Sequence, residues 1–186
     1  MKNTLDRRIS IILPIILFSL LSCASTQKER TESTDRIYNN RGIDHIDKGQ
    51  YDQAILEFKK ALKINPNYSE AYNNRGFAYA KKGQYDQAIS DYNKALEINP
   101  RDADGYVNRG LTYVRKGQYD QAISDYDKAL EIDSRYAMAY YCRGLAYYFK
   151  EEYDKSWDDI KKAQDFGYDV PAQFLWDLRK ASGRER

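Results

Sequence analysis

Residues 69–102 read SEAYNNRGFAYAKKGQYDQAISDYNKALEINPRD, and this stretch decides the fold because most of the chain is a copy of it. Residues 103–136 read ADGYVNRGLTYVRKGQYDQAISDYDKALEIDSRY and match it at 22 of 34 positions without a gap. Two weaker copies align on either side, at 35–68 and 137–170. A repeat of this length with small residues at fixed positions is typical of a solenoid of helix–turn–helix units. We therefore predict one domain of four repeats over 35–170.

Each copy, numbered from position 1 to position 34, carries the same residue types at several positions. Position 4 is always tyrosine: Tyr38, Tyr72, Tyr106 and Tyr140. Position 8 is always glycine: Gly42, Gly76, Gly110 and Gly144. Position 27 is always alanine: Ala61, Ala95, Ala129 and Ala163. Small side chains at fixed points allow two packed helices to approach closely, because a ridge is missing there.

These residues at this spacing resemble the tetratricopeptide repeat family. The resemblance implies an all-α fold, a right-handed superhelical solenoid in which each copy contributes two antiparallel helices. The first helix of a copy is expected over about positions 2–14, and Gly49, Gly83 and Gly117 then supply a left-handed cap. The second helix is expected to begin at a recurring Tyr-Asp pair, with the aspartate capping its first turn: Asp52, Asp86, Asp120 and Asp154.

The C-terminal residues 171–186 are predicted to form a capping helix and a tail. Pro171 opens a stretch in which Phe174, Leu175 and Leu178 share one helical face, and Gly183 follows it. The last repeat of a solenoid would otherwise expose its apolar side.

The N-terminal residues 1–22 are typical of a secretion signal, with a basic start and an apolar run over 9–21. This run, interrupted by Pro14, is shorter than the roughly 20 residues that a transmembrane helix needs. Its end, Leu20-Leu21-Ser22-Cys23, resembles the bacterial lipoprotein box. The resemblance implies cleavage before Cys23 and lipidation of its sulfur.

Residues 23–34 would then be the lipidated cysteine and a flexible tether, because they are rich in serine, threonine and charge. The expected location is the bacterial cell envelope, lipid-anchored to a membrane after export from the cytoplasm. The alternative is an uncleaved membrane anchor in which Cys23 has no role. Both interpretations place the repeats outside the cytoplasm.

The resemblance also implies a binding groove, because first helices of successive repeats line a concave surface in this family. Position 6 of the first three copies is Asn40, Asn74 and Asn108, which resembles the asparagine ladder of tetratricopeptide-repeat glycosyltransferases. A carboxamide can both donate to and accept from the backbone of an extended peptide. The alternative is that these amides satisfy neighbouring helix ends. The other groove residues that we predict are Asn73, Phe77, Lys81, Leu111, Arg115, Tyr141 and Tyr148.

Two features of this surface are interpreted as structural or left open. Position 7 is arginine in every copy: Arg41, Arg75, Arg109 and Arg143. We predict that these arginines pair with an acid such as Asp91 or Asp125 at position 23 and are not ligand residues. The groove is apolar in the fourth copy, and the sequence does not divide that surface between partner binding and the capping helix.

Other kinds of chemistry are disfavoured by the composition. The net charge is +2, and loss of residues 1–22 would leave 27 basic and 27 acidic residues, so we expect no nucleic-acid partner. His45, the one histidine, occupies a position where the other copies have tyrosine, and no zinc-type spacing occurs. We therefore expect no metal, no cofactor and no enzymatic activity.

The function that follows is a membrane-anchored scaffold or adaptor that binds a protein or an extended peptide in its groove. Two alternatives remain open. One is an accessory subunit of an envelope enzyme or assembly machine, such as a peptidoglycan hydrolase or protease adaptor or a pilotin. The other is a structural homo-oligomer.

Overall fold

The computed structural model describes residues 34–184, and over that range the chain forms nine α-helices and no strand. The helices are α1 (34–47), α2 (Tyr51–Ile64), α3 (Ser69–Lys81), α4 (Tyr85–Ile98), α5 (Ala103–Arg115), α6 (Tyr119–Ile132), α7 (Ala137–Phe149), α8 (Tyr153–Asp165) and α9 (Ala172–Ser182). No helix in this range is long and apolar enough to cross a membrane. The predictions for the signal peptide and for Cys23 lie outside the described residues. Thr34, assigned to the tether from the sequence, belongs to α1.

The helices pack in chain order as a solenoid. Within a copy, α3 packs on α4, α5 on α6 and α7 on α8, and each second helix then packs on the first helix of the next copy. The first helices also contact one another across copies, α3 with α5 and α5 with α7. This all-α repeat superhelix confirms the fold class predicted from the 34-residue period.

The glycine at position 8 makes room for a large side chain at position 24 of the same copy. A Cβ atom on Gly110 would lie 2.6 Å from Cε1 of Tyr126, and one on Gly42 would overlap the ring of Phe58. Phe58 and Tyr126 are fully buried. The predicted packing role of the small residues is therefore confirmed.

The turn between the two helices of a copy needs a left-handed residue. Gly49, Gly83 and Gly117 have φ angles of 69°, 75° and 72° at this point. In the fourth copy Glu151 takes the same conformation, with φ at 62°. A side chain in the left-handed region costs roughly 1–2 kcal/mol, so the fourth turn carries strain that the other three avoid.

Glu151→Gly should therefore stabilise the protein by about 1 kcal/mol, because glycine adopts this backbone conformation without a Cβ penalty. Urea denaturation followed by circular dichroism measures the change in the free energy of unfolding. Gly117→Glu is the matched control and should destabilise the third turn by a similar amount. A loss of stability in Glu151→Gly would contradict this explanation.

The predicted aspartate caps of the second helices are wrong. The N-cap residues are Gln50, Gln84, Gln118 and Glu152, and none makes a side-chain capping hydrogen bond. Each aspartate is the second residue of its helix, directly after the tyrosine. It pairs with a cation that lies 30 residues later in the sequence. The pairs are Lys82 with Asp52, Lys116 with Asp86, Lys150 with Asp120, and Arg184 with Asp154. A carboxylate near the N-terminus of a helix still interacts favourably with the helix dipole. In this protein, however, the main partner of each aspartate is a cation of the next copy.

The predicted capping helix is confirmed as α9, which packs on α8 in the position that the first helix of a further copy would take. Leu178 is fully buried against Ile160 and Ala163 of α8, and Phe174 and Leu175 pack half-buried on the same cluster. Arg184 binds Asp154 as the position-14 lysines bind their aspartates, so α9 takes the place of the first helix of a fifth copy that begins at residue 171. Leu178 stands at position 8 of this copy, where the four copies before it have glycine.

Candidate functional site

Three of the four arginines at position 7 are held by aspartates at position 23, as predicted, whereas Arg41 has no such ion pair within residues 34–184 and its guanidinium lies over the Tyr38 ring. Arg75 donates to both carboxylate oxygens of Asp91 at 2.7 Å. Arg109 does the same to Asp125, at 2.8 and 2.6 Å, and Arg143 to Asp159, both at 2.7 Å. The three aspartates are buried. These guanidinium groups are therefore engaged within their own copies.

Two of these arginines also reach back to the preceding copy. Arg109 donates to Asn93 at 2.6 Å, and Arg143 donates to Asp127 at 2.5 Å, both at position 25 of the copy before. Burial lowers the pKa of Arg143, but its bonds to Asp159 and Asp127 outweigh that effect and raise the pKa. The guanidinium stays charged and joins adjacent copies.

The asparagines form a network between copies. Asn74 donates to Asn39 at 3.2 Å, and Asn108 donates to Asn73 at 3.2 Å, so a position-6 amide binds the position-5 amide of the preceding copy. Asn73 in turn donates to Asp102, whose other carboxylate oxygen caps the first turn of α5. Asn40 has no such partner among residues 34–184 and is exposed.

This network leaves each amide with further hydrogen-bonding capacity, because a carboxamide has two donor hydrogens and an acceptor oxygen. Ligand binding by Asn40, Asn74 and Asn108 thus stays a prediction. In the structure, Asn74 and Asn108 already donate a hydrogen bond to an asparagine of the preceding copy. Two asparagines of this network contact the start of a helix through an acid: Asn73 donates to Asp102, and Asn39 donates to Glu70 in the first turn of α3.

The amide pair is replaced by an apolar pair where the network ends. At the next junction Val107 stands at position 5 and Cys142 at position 6, and both are buried. Burial raises the pKa of Cys142 to about 12, so this thiol is protonated at neutral pH and is a poor nucleophile. From one junction to the next, both members of the pair are therefore replaced: the asparagines Asn73 and Asn108 at one junction correspond to Val107 and Cys142 at the following one.

Asn108→Ala should lower stability by about 1 kcal/mol, because the half-buried Asn73 amide loses its donor. The double variant Asn73→Val with Asn108→Cys copies the pair at the next junction and should recover part of that loss. Thermal melts of the wild type and both variants give the comparison. Equal melting temperatures for all three proteins would show that the amide pair contributes nothing to stability.

The apolar end of the predicted groove is packed against the capping segment. Tyr141 stacks on Tyr168 with ring centroids 4.5 Å apart and meets the edge of Phe174. Tyr148 meets the same phenylalanine at 5.4 Å. Both tyrosines are half-buried, so their rings pack on Tyr168 and α9, whereas Met138 and Phe149 of the same end are exposed. We therefore leave Tyr141 and Tyr148 out of the candidate site.

A cleft of about 520 Å³ opens between α3 and α5 and brings five of the predicted groove residues together. Its residues are Phe77, Ala80, Lys81, Lys82, Gly83, Tyr85, Tyr92, Asn108, Leu111, Thr112 and Arg115, and we call it the α3–α5 cleft. Phe77, Lys81, Leu111, Arg115 and Asn108 were predicted from the sequence. The rest were missed, above all Ala80.

The size of the side chain at position 12 explains where this cleft opens. That position is Ile46, Ala80, Val114 and Tyr148 in the four copies, so the second copy has the smallest residue. Alanine leaves the space between Phe77 and Leu111 unfilled. The sequence contains this signal, since Tyr148, also at position 12, was predicted to face the groove, but the space left by the small side chain of Ala80 was not predicted.

The rim of the α3–α5 cleft is positively charged. Lys82 is paired with Asp52, whereas Lys81 lies 5.0 Å above the Phe77 ring. In residues 34–184, neither Lys81 nor Arg115 has a carboxylate within ion-pair distance, and no carboxylate lines the cleft. The cleft therefore combines apolar walls with two uncompensated cations, which suits an apolar group that carries a negative charge beside it.

Comparison with known families finds repeat models along the chain. Models described as "Tetratricopeptide repeat" match residues 69–102 and 91–124, and one described as "TPR repeat" matches 44–83 and 110–150. A search of curated proteins finds no match.

Several solved structures share the fold. The crystal structure of MamA is 29% identical with a TM-score of 0.68, and the match covers 75% of this chain and 83% of that one. TTC0263, a thermophilic TPR protein in Thermus thermophilus, is 28% identical with a TM-score of 0.69, covering 81% and 84%. The first TPR of Spaghetti (RPAP3), bound to the HSP90 peptide SRMEEVD, is 26% identical with a TM-score of 0.58, covering 62% and 91%.

The family models and the fold agree on one class. This chain is a tetratricopeptide-repeat protein, built as an all-α solenoid. Such a fold is a scaffold for protein–protein interaction, and none of the three matching models describes a catalytic family.

Proposed function

We propose that this protein is a lipid-anchored scaffold of the bacterial cell envelope and that its first-helix face binds a segment of a partner protein. The observation that carries the binding role is the α3–α5 cleft, which lies between the first helices of adjacent copies. The family model and the peptide-bound Spaghetti structure support a peptide or protein as the ligand. No reaction is part of this proposal.

The anchor is supported by the sequence that precedes the repeats. Residues 9–21 are apolar, and Leu20-Leu21-Ser22-Cys23 follows the pattern of a lipoprotein box. The residues between Cys23 and α1 contain few apolar side chains. A lipid on Cys23 would hold the solenoid at the membrane surface, where its concentration near a membrane-bound partner is high.

The capping helix bears on the homo-oligomer alternative. Because α9 covers the apolar end of the fourth copy, that end is not available to the first copy of another molecule. Head-to-tail stacking through this apolar end is therefore disfavoured.

Cys23→Ser should abolish lipidation, because serine lacks the sulfur to which the lipid is attached. Cells grown with radiolabelled palmitate should label the wild type and not the variant, and the variant should leave the membrane fraction or remain unprocessed. Cys142→Ser is the matched control and should be labelled like the wild type. Equal labelling of wild type and Cys23→Ser would rule out the anchor.

The binding role is tested by charge reversal on the first-helix face. Lys81→Glu with Arg115→Glu should remove a co-purifying protein from solubilised envelope, because both cations lie at the cleft. Lys59→Glu with Lys161→Glu, on the exposed surface of second helices, is the matched control. A protein captured equally by both variants would not be bound through this face.

A further inference from the structure

We propose that the outer face of α2 is a membrane-docking surface that binds the headgroups of anionic phospholipids. This face is formed by Leu56, Lys59 and Lys63, and we call these three residues the α2 stripe. The contact rests on the proposed function, because the lipid on Cys23 is what brings the first copy close to a membrane. It adds a second membrane contact, which fixes the orientation of the solenoid.

The α2 stripe combines an apolar side chain with two free cations. Its residues stand at positions 22, 25 and 29 of the first copy, a spacing that places them on one side of the helix. Leu56 is 56% exposed. Lys59 and Lys63 are exposed too, and neither forms an ion pair within residues 34–184. Such a face can insert its apolar side chain at the headgroup boundary while its cations contact lipid phosphates.

The same three positions carry acids or neutral polar residues in the other copies. They are Ser90, Asn93 and Glu97 in copy two, Ser124, Asp127 and Glu131 in copy three, and Asp158, Lys161 and Asp165 in copy four. The net charge of the three positions is therefore +2 in copy one and −1, −2 and −1 in copies two, three and four. An anionic surface attracts the first of these faces and repels the others.

Lys59 also leaves a neighbouring guanidinium with a free nitrogen. Arg109 and Arg143 each donate from Nη1 to the position-25 residue of the preceding copy. Arg75 donates to Asp91 from Nε and Nη2, but the position-25 residue before it is Lys59, which has no acceptor. Within residues 34–184, Nη1 of Arg75 makes no hydrogen bond. The register of the repeat places Lys59 beside this nitrogen, so one headgroup phosphate can contact both cations.

The acids of the first copy do not cancel the charge of the α2 stripe. On α2 itself, Asp52 is paired with Lys82, and Glu57 is paired with Lys60. The remaining acids of this copy belong to α1 and are Asp35, Asp44 and Asp47. The two lysines of the stripe are therefore available to an external anion.

The length of chain before α1 keeps the first copy near the lipid. Residues 24–33 separate Cys23 from α1, and these ten residues span at most about 35 Å when fully extended. Two lysines alone bind a membrane weakly, but a lipid on Cys23 holds them at a high local concentration of headgroups. Docking of α2 turns the first-helix face away from the membrane, so that face stays open to a partner.

Fluorescent labels at position 19 can report which copy touches the membrane. This position is glutamine in the first three copies, and Gln53, Gln87 and Gln121 are all exposed. Each is changed to cysteine in the lipid-bearing protein and coupled to an environment-sensitive fluorophore. Cys142 reacts slowly with the reagent, because burial raises the pKa of its thiol to about 12. The protein is then reconstituted into vesicles of phosphatidylcholine with or without phosphatidylglycerol.

We expect a blue-shifted signal from Gln53→Cys in the vesicles that contain phosphatidylglycerol, and quenching of this signal by brominated lipid. The labels on Gln87→Cys and Gln121→Cys should remain in water. Adding Lys59→Gln with Lys63→Gln should lower the ratio of docked to free label at position 53 about tenfold or more.

Lys128→Gln with Lys161→Gln is the matched control for this loss of charge. It removes two exposed lysines from the second helices of later copies and should leave docking at Gln53→Cys unchanged. Thermal melts of both charge variants check that the solenoid still folds.

Docking through the α2 stripe is ruled out if the three labels respond alike, if phosphatidylglycerol makes no difference, or if the folded Lys59→Gln, Lys63→Gln variant docks as the wild type does. A blue shift that grows with protein concentration and is not quenched by brominated lipid also rules it out. In that case a second copy of the chain, and not lipid, covers the face.

Failure of the anchor gives a different result, because the mass of the purified protein shows whether Cys23 carries a lipid. If the lipid is present and the label on Gln53→Cys stays in water, the anchor stands and docking falls. If the lipid is absent, the labelled chain is added to the same vesicles, and a quenched blue shift keeps docking while the anchor falls. No response from that chain removes both. Because the α2 stripe faces lipid and not protein, Lys59 and Leu56 remain control positions for partner binding.

Discussion

A chain that ends at Asp169 should unfold at a markedly lower temperature than the wild type and should aggregate. The truncation removes α9 together with Val170 and Leu178, which are buried in the full chain. It also uncovers Ile160 and Ala163 of α8. Losing one large buried side chain costs about 2–5 kcal/mol, so losing this whole contact should cost several kcal/mol.

A chain that ends at Gly183 is the matched control. It keeps α9 and loses the Arg184 pair with Asp154, whose side chains are 53% and 90% exposed. An ion pair this exposed contributes about 0–1 kcal/mol, so the melting temperature should barely change. Circular dichroism melts and light scattering follow both chains. If the chain ending at Asp169 melted like the wild type, α9 would be a free tail and not a cap.

Asp125→Ala should destabilise the protein by about 3–5 kcal/mol, because it leaves the Arg109 guanidinium half-buried without its carboxylate. Arg109 donates two hydrogen bonds to Asp125 and one to Asn93 of the preceding copy. Loss of Asp125 should therefore weaken the contacts of Arg109 in two copies. Denaturant unfolding measures the effect as a change in midpoint.

The double variant Arg109→Leu with Asp125→Leu gives the sharper comparison. Replacing both members of a buried pair by apolar residues is often nearly neutral, so this variant should be more stable than Asp125→Ala. A double variant that is less stable than the single one would mean that the pair contributes net stability beyond satisfying its own charges.

A smaller effect is expected at Tyr126, whose buried hydroxyl has no hydrogen-bond partner in the described part of the chain. Tyr126→Phe should leave stability unchanged or raise it by about 1 kcal/mol, because the unsatisfied group is removed. Phe58 holds the equivalent position in the first copy and is fully buried, so the ring alone fits there. A clear loss of stability in a thermal melt would show that the hydroxyl has a partner.

The features that depend on one copy alone could be predicted from the sequence. The 34-residue period, the glycine at position 8 and the pairing of Arg75 with Asp91 all involve residues within a single helix pair, where spacing fixes which side chains meet. The capping helix followed from the helical spacing of Phe174, Leu175 and Leu178. These predictions are confirmed because they depend on the spacing of residues along a single helix or helix pair.

The features that depend on how copies stack could not be predicted in this way. Asp52 looked like a helix cap because it recurs at the start of a second helix, but its partner Lys82 lies in the next copy. Ligand binding by Asn108 stays a prediction, but its hydrogen bond to Asn73, 35 positions away, was not predicted from the pattern of first-helix residues. Ala80 shares position 12 with the predicted groove residue Tyr148, but its small side chain leaves a space only because Leu111 of the next copy lies opposite it. Distances between copies are set by packing, which the residue pattern alone does not give.

The central claim, that the first-helix face binds a partner at the envelope, is tested most directly by site-specific photocrosslinking in living cells. A photoreactive phenylalanine at Leu111 lies in the α3–α5 cleft, and one at Leu56 lies on the exposed surface of α2. The account predicts a discrete crosslinked product in the membrane fraction from Leu111 and none from Leu56. The absence of a product from Leu111, or the same product from both positions, would contradict it.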